Sequence, residues 1–418
     1  MKKKRIGLGM VSLFLVCAMA VNLTGCSAEV RARDLMEGVT PQKVSIQGDP
    51  GSRNADVTDF AVRLFRASEK SGENTLISPL SVLCALAMTA NGAEGETLEQ
   101  MEAVLGMTAE ELNQYLYSYM KNLPQGGKDK LSLANSVWFT EDERFAVNQD
   151  FLQVNADYYG ADIYQAPSDG QTCKDINNWV KQNTDGMIPE ILDQIPPEAV
   201  MYLVNALAFE AEWPEPYEKH QVRNGKFTKE DRTKQDAEFM YGSEGTYLED
   251  ENATGFIKYY KGGKYAFAAL LPNEGVSVSD YIASLDGGSL NAMLANPQYT
   301  TVYTSIPKFE AEYSVEMSEI LEGMGMPRAF DSENAEFERL GVFSEGNIYI
   351  SRVLHKTFIS VGEKGTRAGA VTAVEMTGEG APAPEEPKQV YLDRPFVYML
   401  IDCENNIPFF IGTMMDVK

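Results

Sequence analysis

The chain has 418 residues, 44% of them hydrophobic, and carries 36 Lys and Arg against 61 Asp and Glu, a formal net charge of −25 at pH 7. That length and apolar content can build a large core and exclude a disordered chain, while the acidity excludes nucleic acid and anionic membrane surfaces as partners. Five cysteines, two histidines (His220 and His355) and no CxxC or HExxH exclude a disulfide-built fold and leave no ligand set for a transition metal.

At the N-terminus, Lys2, Lys3, Lys4 and Arg5 precede an apolar run, Ile6 to Val21, that breaks at Asn22. The run is short for a membrane-spanning helix and proportioned as an export signal. Leu23-Thr24-Gly25-Cys26 follows at once and resembles the lipobox of bacterial lipoproteins. That resemblance implies removal of residues 1–25 and lipidation of Cys26, with several acyl chains at about 0.8 kcal/mol per buried CH₂ as the only hold on a membrane. The expected location is the outer face of the bacterial cell membrane or the cell surface, facing the extracellular space. Loss of the leader moves the formal charge from −25 to about −29. Of the remaining cysteines, Cys84 in an apolar helical run and Cys403 at the end of an apolar strand read as isolated buried thiols, and Cys173 as one near the surface.

Residues 26–54 carry the lipidated Cys and then read as a polar tether, with "TPQK" and "QGDPGSRN" and little periodicity. Apolar residues three or four apart then predict helices over Val57–Glu69, Ser78–Asn91, Leu98–Val104, Ala109–Asn122, Asp150–Tyr159 and Cys173–Gln182. Leu131–Phe139 reads as a strand, and Ala199–Trp213 is apolar for so long, and so β-rich, that it suits a strand buried on both faces. Further strand candidates are "GFIKYY", "YAFAALLP", "TVYTSIPKFEAEY", "IYISRVLHKTFISVG", "PFVYMLID" and "IPFFIGTMMDV". Helices followed by many strands make an α+β arrangement, and no break in composition divides residues 55–418, which read as one domain.

The segment after "ISVG" is of two kinds. From Gly365 to Met376 the residues are small and β-compatible, whereas Thr377 to Lys388 is rich in Gly, Pro and Glu, as in an exposed loop. Period-two alternation puts Thr366, Ala368, Ala370, Thr372, Val374 and Met376 on one face, all suited to burial. Arg367 and Glu375 fall on the other face, no proline precedes Pro382, and Gly365 supplies a hinge.

Four motifs in order resemble the serpin family. "NTLISPLSVLCALAMTANGAEGETLEQM" is similar to its second helix, "YLVNALAFEAEWPEPYE" to its Val-Asn…Trp-x-x-Pro-Phe strand, "RVLHKTFISVGEKGTRAGAVTA" to the strand leading into its reactive loop, and "RPFVYMLID…PFFIGTMMD" to its closing hairpin. The resemblance covers residues 55–418 and implies a serpin fold: a large central, mostly antiparallel sheet, further sheets, eight or nine helices and an exposed reactive-centre loop. It implies an inhibitor rather than an enzyme, without cofactor and monomeric. In such an inhibitor a serine protease, with cysteine proteases as a second target class, cuts the loop and is trapped as an acyl-enzyme while the upstream part inserts into the sheet.

Counting fourteen residues from Gly365, as in the family, places the scissile bond at Glu379-Gly380, which suits a glutamyl endopeptidase; Met376 or Thr377 would suit elastase-like or chymotrypsin-like enzymes. The hinge would be Gly365, Thr366, Ala368, Ala370 and Thr372. Ser78, Ser81, Asn205 and His355 match the family's polar cluster where strands separate, and Trp213 matches the residue at the top of the sheet. The chain departs from the family in having Arg367 where Glu is common, Tyr217 where Phe is usual, and a somewhat longer loop before Pro395. Two rivals stand beside this reading. Ser118 and Lys121 fit the SxxK of penicillin-interacting enzymes, but SDN and KTG are missing and a Tyr-rich helix yields that tetrapeptide by chance. The other rival is a serpin-fold binding module that does not inhibit.

Overall fold

The computed structural model describes residues 30–123, 130–197, 199–344, 346–366 and 386–417. Local sequence explains how the helices start. Pro79–Ala90 begins on Ser78, whose hydroxyl accepts from the Ser81 N–H, with Pro79 in the first turn where a missing N–H costs nothing. Ala109–Lys121 begins on a capping box between Thr108 and Glu111, and Gly170–Asn183 on Asp169, which accepts from the Gln171 and Thr172 amides.

A seven-stranded sheet runs in the order Arg33–Asp34, Asp162–Ala166, Lys130–Thr140, Met201–Glu212, Gly365–Thr366, Arg352–Gly362, Phe309–Glu316. Met201–Phe209 is buried throughout and apolar except for Asn205, because both its faces are covered. Met201, Leu203, Leu207 and Phe209 join the main core with helix Pro79–Ala90, while Tyr202, Val204 and Ala206 meet Ile176, Trp179 and Val180 of helix Gly170–Asn183. A nine-stranded sheet, from Lys388–Tyr391 through the Phe396–Asp402 and Ile407–Met414 hairpin to Leu76–Ile77, closes the core on the other side.

The structure departs from the sequence-based expectations in four places. The segment read as a free tether is docked from Val30 onward: Arg33 and Asp34 pair with Gln165 and Tyr164, and the Arg31 and Ala32 amides donate to Asp175 Oδ2 at 3.0 and 2.9 Å. Further along, Gln42 N donates to Asp157, Gln47 N to Gln114, and Pro50–Arg53 forms a 3₁₀ turn capped by Asp49. Secondly, Cys173 is buried, its Sγ 3.4 Å from the Leu192 carbonyl oxygen, and the partly exposed thiol is Cys403; all three described cysteines are free. Thirdly, the sixteen-residue strand Lys234–Glu249 escaped the sequence reading because its exposed positions are charged, Ser or Gly. Finally, helices Val278–Ser284, Gly287–Ala295 and Ser318–Met324 are too short to show a repeating apolar face.

Candidate functional site

Strands Met201–Glu212 and Arg352–Gly362 are parallel neighbours for only part of their length. Their ladder runs from Tyr202↔Arg352 to Ala206↔Lys356 and stops. At the far end, Gly365 and Thr366 lie between them, antiparallel to both: Thr366 pairs with Ala211 and Val361, and Gly365 with Glu212 and Gly362. Between the closed end and this wedge lie Leu207–Glu210 on one strand and Thr357–Ser360 on the other, with no ladder joining them among the described residues.

The closed end is clasped by a buried polar group. His355 sits opposite Asn205 in the ladder, is 1% exposed, and places Nδ1 2.5 Å from Asn205 Oδ1. Its Nε2 receives the backbone N–H of Ser78 at 3.0 Å. A backbone amide can only donate, so Nε2 carries the lone pair and Nδ1 the proton, which is given to Asn205. Burial pushes the His355 pKa down to about 3, since an imidazolium here would lose its water and turn a second N–H onto Ser78. The hydroxyl of Ser78, fully buried, caps the helix, and Thr357 Oγ1 donates to Leu76 O at 2.7 Å. Ser81 Oγ and Asn205 Nδ2 are buried with no hydrogen-bond partner among the described residues.

The wedge end is built on Trp213, eight residues along the strand from Asn205. Its Nε1 donates to Gly362 O and its backbone N to Lys364 O, both at 2.9 Å, and its ring lies flat on Tyr260 at 4.4 Å and 4°. Tyr217 N donates to Glu363 O, and Lys308 bridges Glu363 and Glu238 at 2.8 and 3.0 Å. Hydrogen bonding to Glu363 raises the Lys308 pKa, and the same bond lowers that of Glu363. Thr366 is 1% exposed, with Oγ1 2.5 Å from the Tyr260 hydroxyl. Gly365 has φ +143°, and a Cβ there would stand 2.1 Å from the Ala211 carbonyl oxygen, so a side chain is excluded.

Under this hairpin lies an ion pair that sequence reasoning missed. Lys258 Nζ is 2.7 Å from Glu244 Oε1, 5.1 Å from the Trp213 ring centroid and 4.8 Å from that of Tyr217. Burial raises the Glu244 pKa against the opposing pull of Lys258. The available signal was a single lysine inside the apolar run Gly255–Tyr260.

The structure thus brings Ser78, Ser81, Asn205 and His355 together, sets Trp213 apart at the other end of the opening, and seats Gly365 and Thr366 in it. Ala368, Ala370, Thr372, Met376, Thr377, Glu379, Gly380 and Cys26 lie outside the described residues. Chemically, the arrangement among the described residues is a strand slot with its first two positions filled by Gly365 and Thr366. Every further residue added in register would give backbone partners to both flanking strands.

Comparison with known proteins gives a consistent set. A family model described as Serpin (serine protease inhibitor) matches residues 55–417. The chain is 29% identical over 370 residues to an uncharacterized serpin-like protein of Thermococcus kodakarensis, covering 87% of this chain and 85% of that one. It is 29% identical over 363 residues to the leukocyte elastase inhibitor of Equus caballus, covering 82% and 93%. Among solved structures, the thermophilic serpin tengpin in its native state is 49% identical, with a TM-score of 0.88 over 93% of this chain and 100% of that one. The latent state of tengpin gives a TM-score of 0.79 at 48% identity, over 90% and 100%.

Proposed function

This chain belongs to the serpin family, and we propose that it is an inhibitory member that traps serine proteases. A protease cuts the loop after Glu379, or else at Met376 or Thr377. The part from Gly365 to the cut then enters the slot as a new central strand, with Thr366, Ala368, Ala370 and Thr372 turned inward. The protease, still joined through its acyl-enzyme ester, is carried to the far end of the sheet. There, distortion of its oxyanion hole, at several kcal/mol for each misplaced donor, leaves the ester unhydrolysed.

The observation that carries this reading is the position of Gly365–Thr366, already paired with both flanking strands at one end of an opening that His355 and Asn205 close at the other. The higher TM-score against the native than against the latent state of tengpin supports an arrangement with the slot still open. The test is incubation with a panel of serine proteases. A band surviving SDS at the summed mass, together with a released peptide beginning at Gly380, is the expected result; complete cleavage with the protease left active would overturn the assignment.

We also propose export and lipidation at Cys26, on the charged, apolar and Leu-Thr-Gly-Cys order of residues 2–26. No helix among the described residues is long and apolar enough to cross a membrane. Partition into a detergent phase that is lost in Cys26→Ser is the expected behaviour.

A further inference from the structure

The docked N-terminal segment fixes which end of the molecule is near the anchor. Strand Arg33–Asp34 is antiparallel to Asp162–Ala166, which is parallel to Lys130–Thr140, itself antiparallel to Met201–Glu212. Following the register across, Arg33 is level with Gln165, Phe139 and Met201. Gly365 is level with Glu212, at the other end of that twelve-residue strand. Eleven steps along a strand separate the two levels by about 36 Å. Because the segment runs from Arg33 towards the loop end, residues 30–32 lie further from the loop still.

That end is firmly attached. Val30 and Ala32 pack against the cluster containing Cys173, Ile176 and Trp179, and Asp175, 1% exposed, accepts both the Arg31 and Ala32 amides. Only Ser27, Ala28 and Glu29 separate Val30 from Cys26, so their Cα atoms can be no more than about 14 Å apart. A tether of nearly thirty residues would let the domain tumble over the membrane; three residues do not.

We propose that the lipidated protein stands on the bilayer on the end of the central sheet that carries Val30, with Gly365 and Thr366, the start of the hinge, at the opposite end, away from the lipid. The occupant of this face is the surface of the membrane that holds the acyl chains. The inference rests on the proposed lipidation of Cys26. It also implies that a protease carried to the far end of the sheet arrives at the membrane-facing end, so the domain must tip away from the bilayer to make room for it.

The test uses the full-length lipidated chain bound to phosphatidylcholine vesicles that contain a headgroup-labelled acceptor lipid. Cys403→Ser removes the partly exposed native thiol, and a donor dye is placed either at Glu143→Cys, exposed in the turn that follows Thr140, or at Lys219→Cys, exposed just beyond Trp213 and Tyr217. Energy transfer at least threefold more efficient from position 143 than from position 219 is expected. Insertion of twenty Gly and Ser residues after Glu29 is expected to bring the two together. Equal or reversed efficiencies in vesicle-bound protein of native spacing would overturn the orientation while leaving the anchor intact. Failure of the protein to float with vesicles would overturn the anchor, and the orientation with it, without touching the inhibitory reading.

Discussion

Thr366 Oγ1 lies 2.5 Å from the hydroxyl of Tyr260, whose ring is stacked on Trp213. The second residue of the hinge is therefore facing the core and is 1% exposed. Thr366→Arg would put a cation, in place of a hydroxyl, at a buried position beside the Tyr260 hydroxyl. The expected outcome is conversion from inhibitor to substrate: the loop is still cut at the same bond, while the SDS-stable band falls at least tenfold. Retained trapping by this variant would contradict the inward facing of Thr366 during insertion.

Gly365→Ala tests the hinge in a different way. At φ +143° and 2.1 Å from the Ala211 carbonyl, the new methyl can be housed only if the hairpin leaves the slot. A loss of about 1–3 kcal/mol is expected, read from urea denaturation, with faster hydrogen exchange at the amides of Thr366 and Trp213.

The His355 clasp predicts a pH dependence of definite sign. Its pKa in the folded chain is about 3 against an ordinary 6.5, so the unfolded chain binds the proton more tightly. The stabilising contribution is whole above about pH 6.5 and falls with acidification by about 1.4 kcal/mol per pH unit until the folded pKa is approached. Urea midpoints from pH 7 to pH 4 should fall in the wild type and fall less steeply in His355→Gln, which cannot titrate. Parallel curves for the two proteins would remove His355 as the source.

The Lys258–Glu244 pair, with side chains 11% and 13% exposed, is expected to be costly to break and cheap to replace. Lys258→Met leaves a buried carboxylate without its partner and should cost about 3 kcal/mol; adding Glu244→Leu should restore most of it. A double-mutant cycle in urea measures the coupling, and additive effects would show that the pair acts through solvent-exposed charge alone.

The sequence made legible those parts of the fold whose burial leaves a repeating mark. Met201–Phe209 announces burial on two faces by lacking polar alternation, and Ser78-Pro79 marks a helix start by its capping chemistry. The inward face of Thr366 follows from the pleat. What could not be read depends on contacts between residues distant in the chain. Arg31 and Ala32 are held through backbone amides by Asp175, more than 140 positions away, so their side chains carry no signal of docking. Glu244, Lys258, Trp213 and Tyr217 converge from separate strands and loops, and each alone looks like an ordinary residue.

In a trap of this kind the open slot stores free energy that loop cleavage releases. Parting the Tyr202–Ala206 and Arg352–Lys356 ladder and filling the lengthened slot with a dozen paired residues should be worth on the order of 10 kcal/mol, at roughly 1 kcal/mol per net hydrogen bond plus the burial of one face. The direct measurement is calorimetric melting of the intact chain beside the same chain nicked once between residues 376 and 380. A midpoint raised by tens of degrees in the nicked form is predicted, and a midpoint unchanged or lowered would contradict the trap.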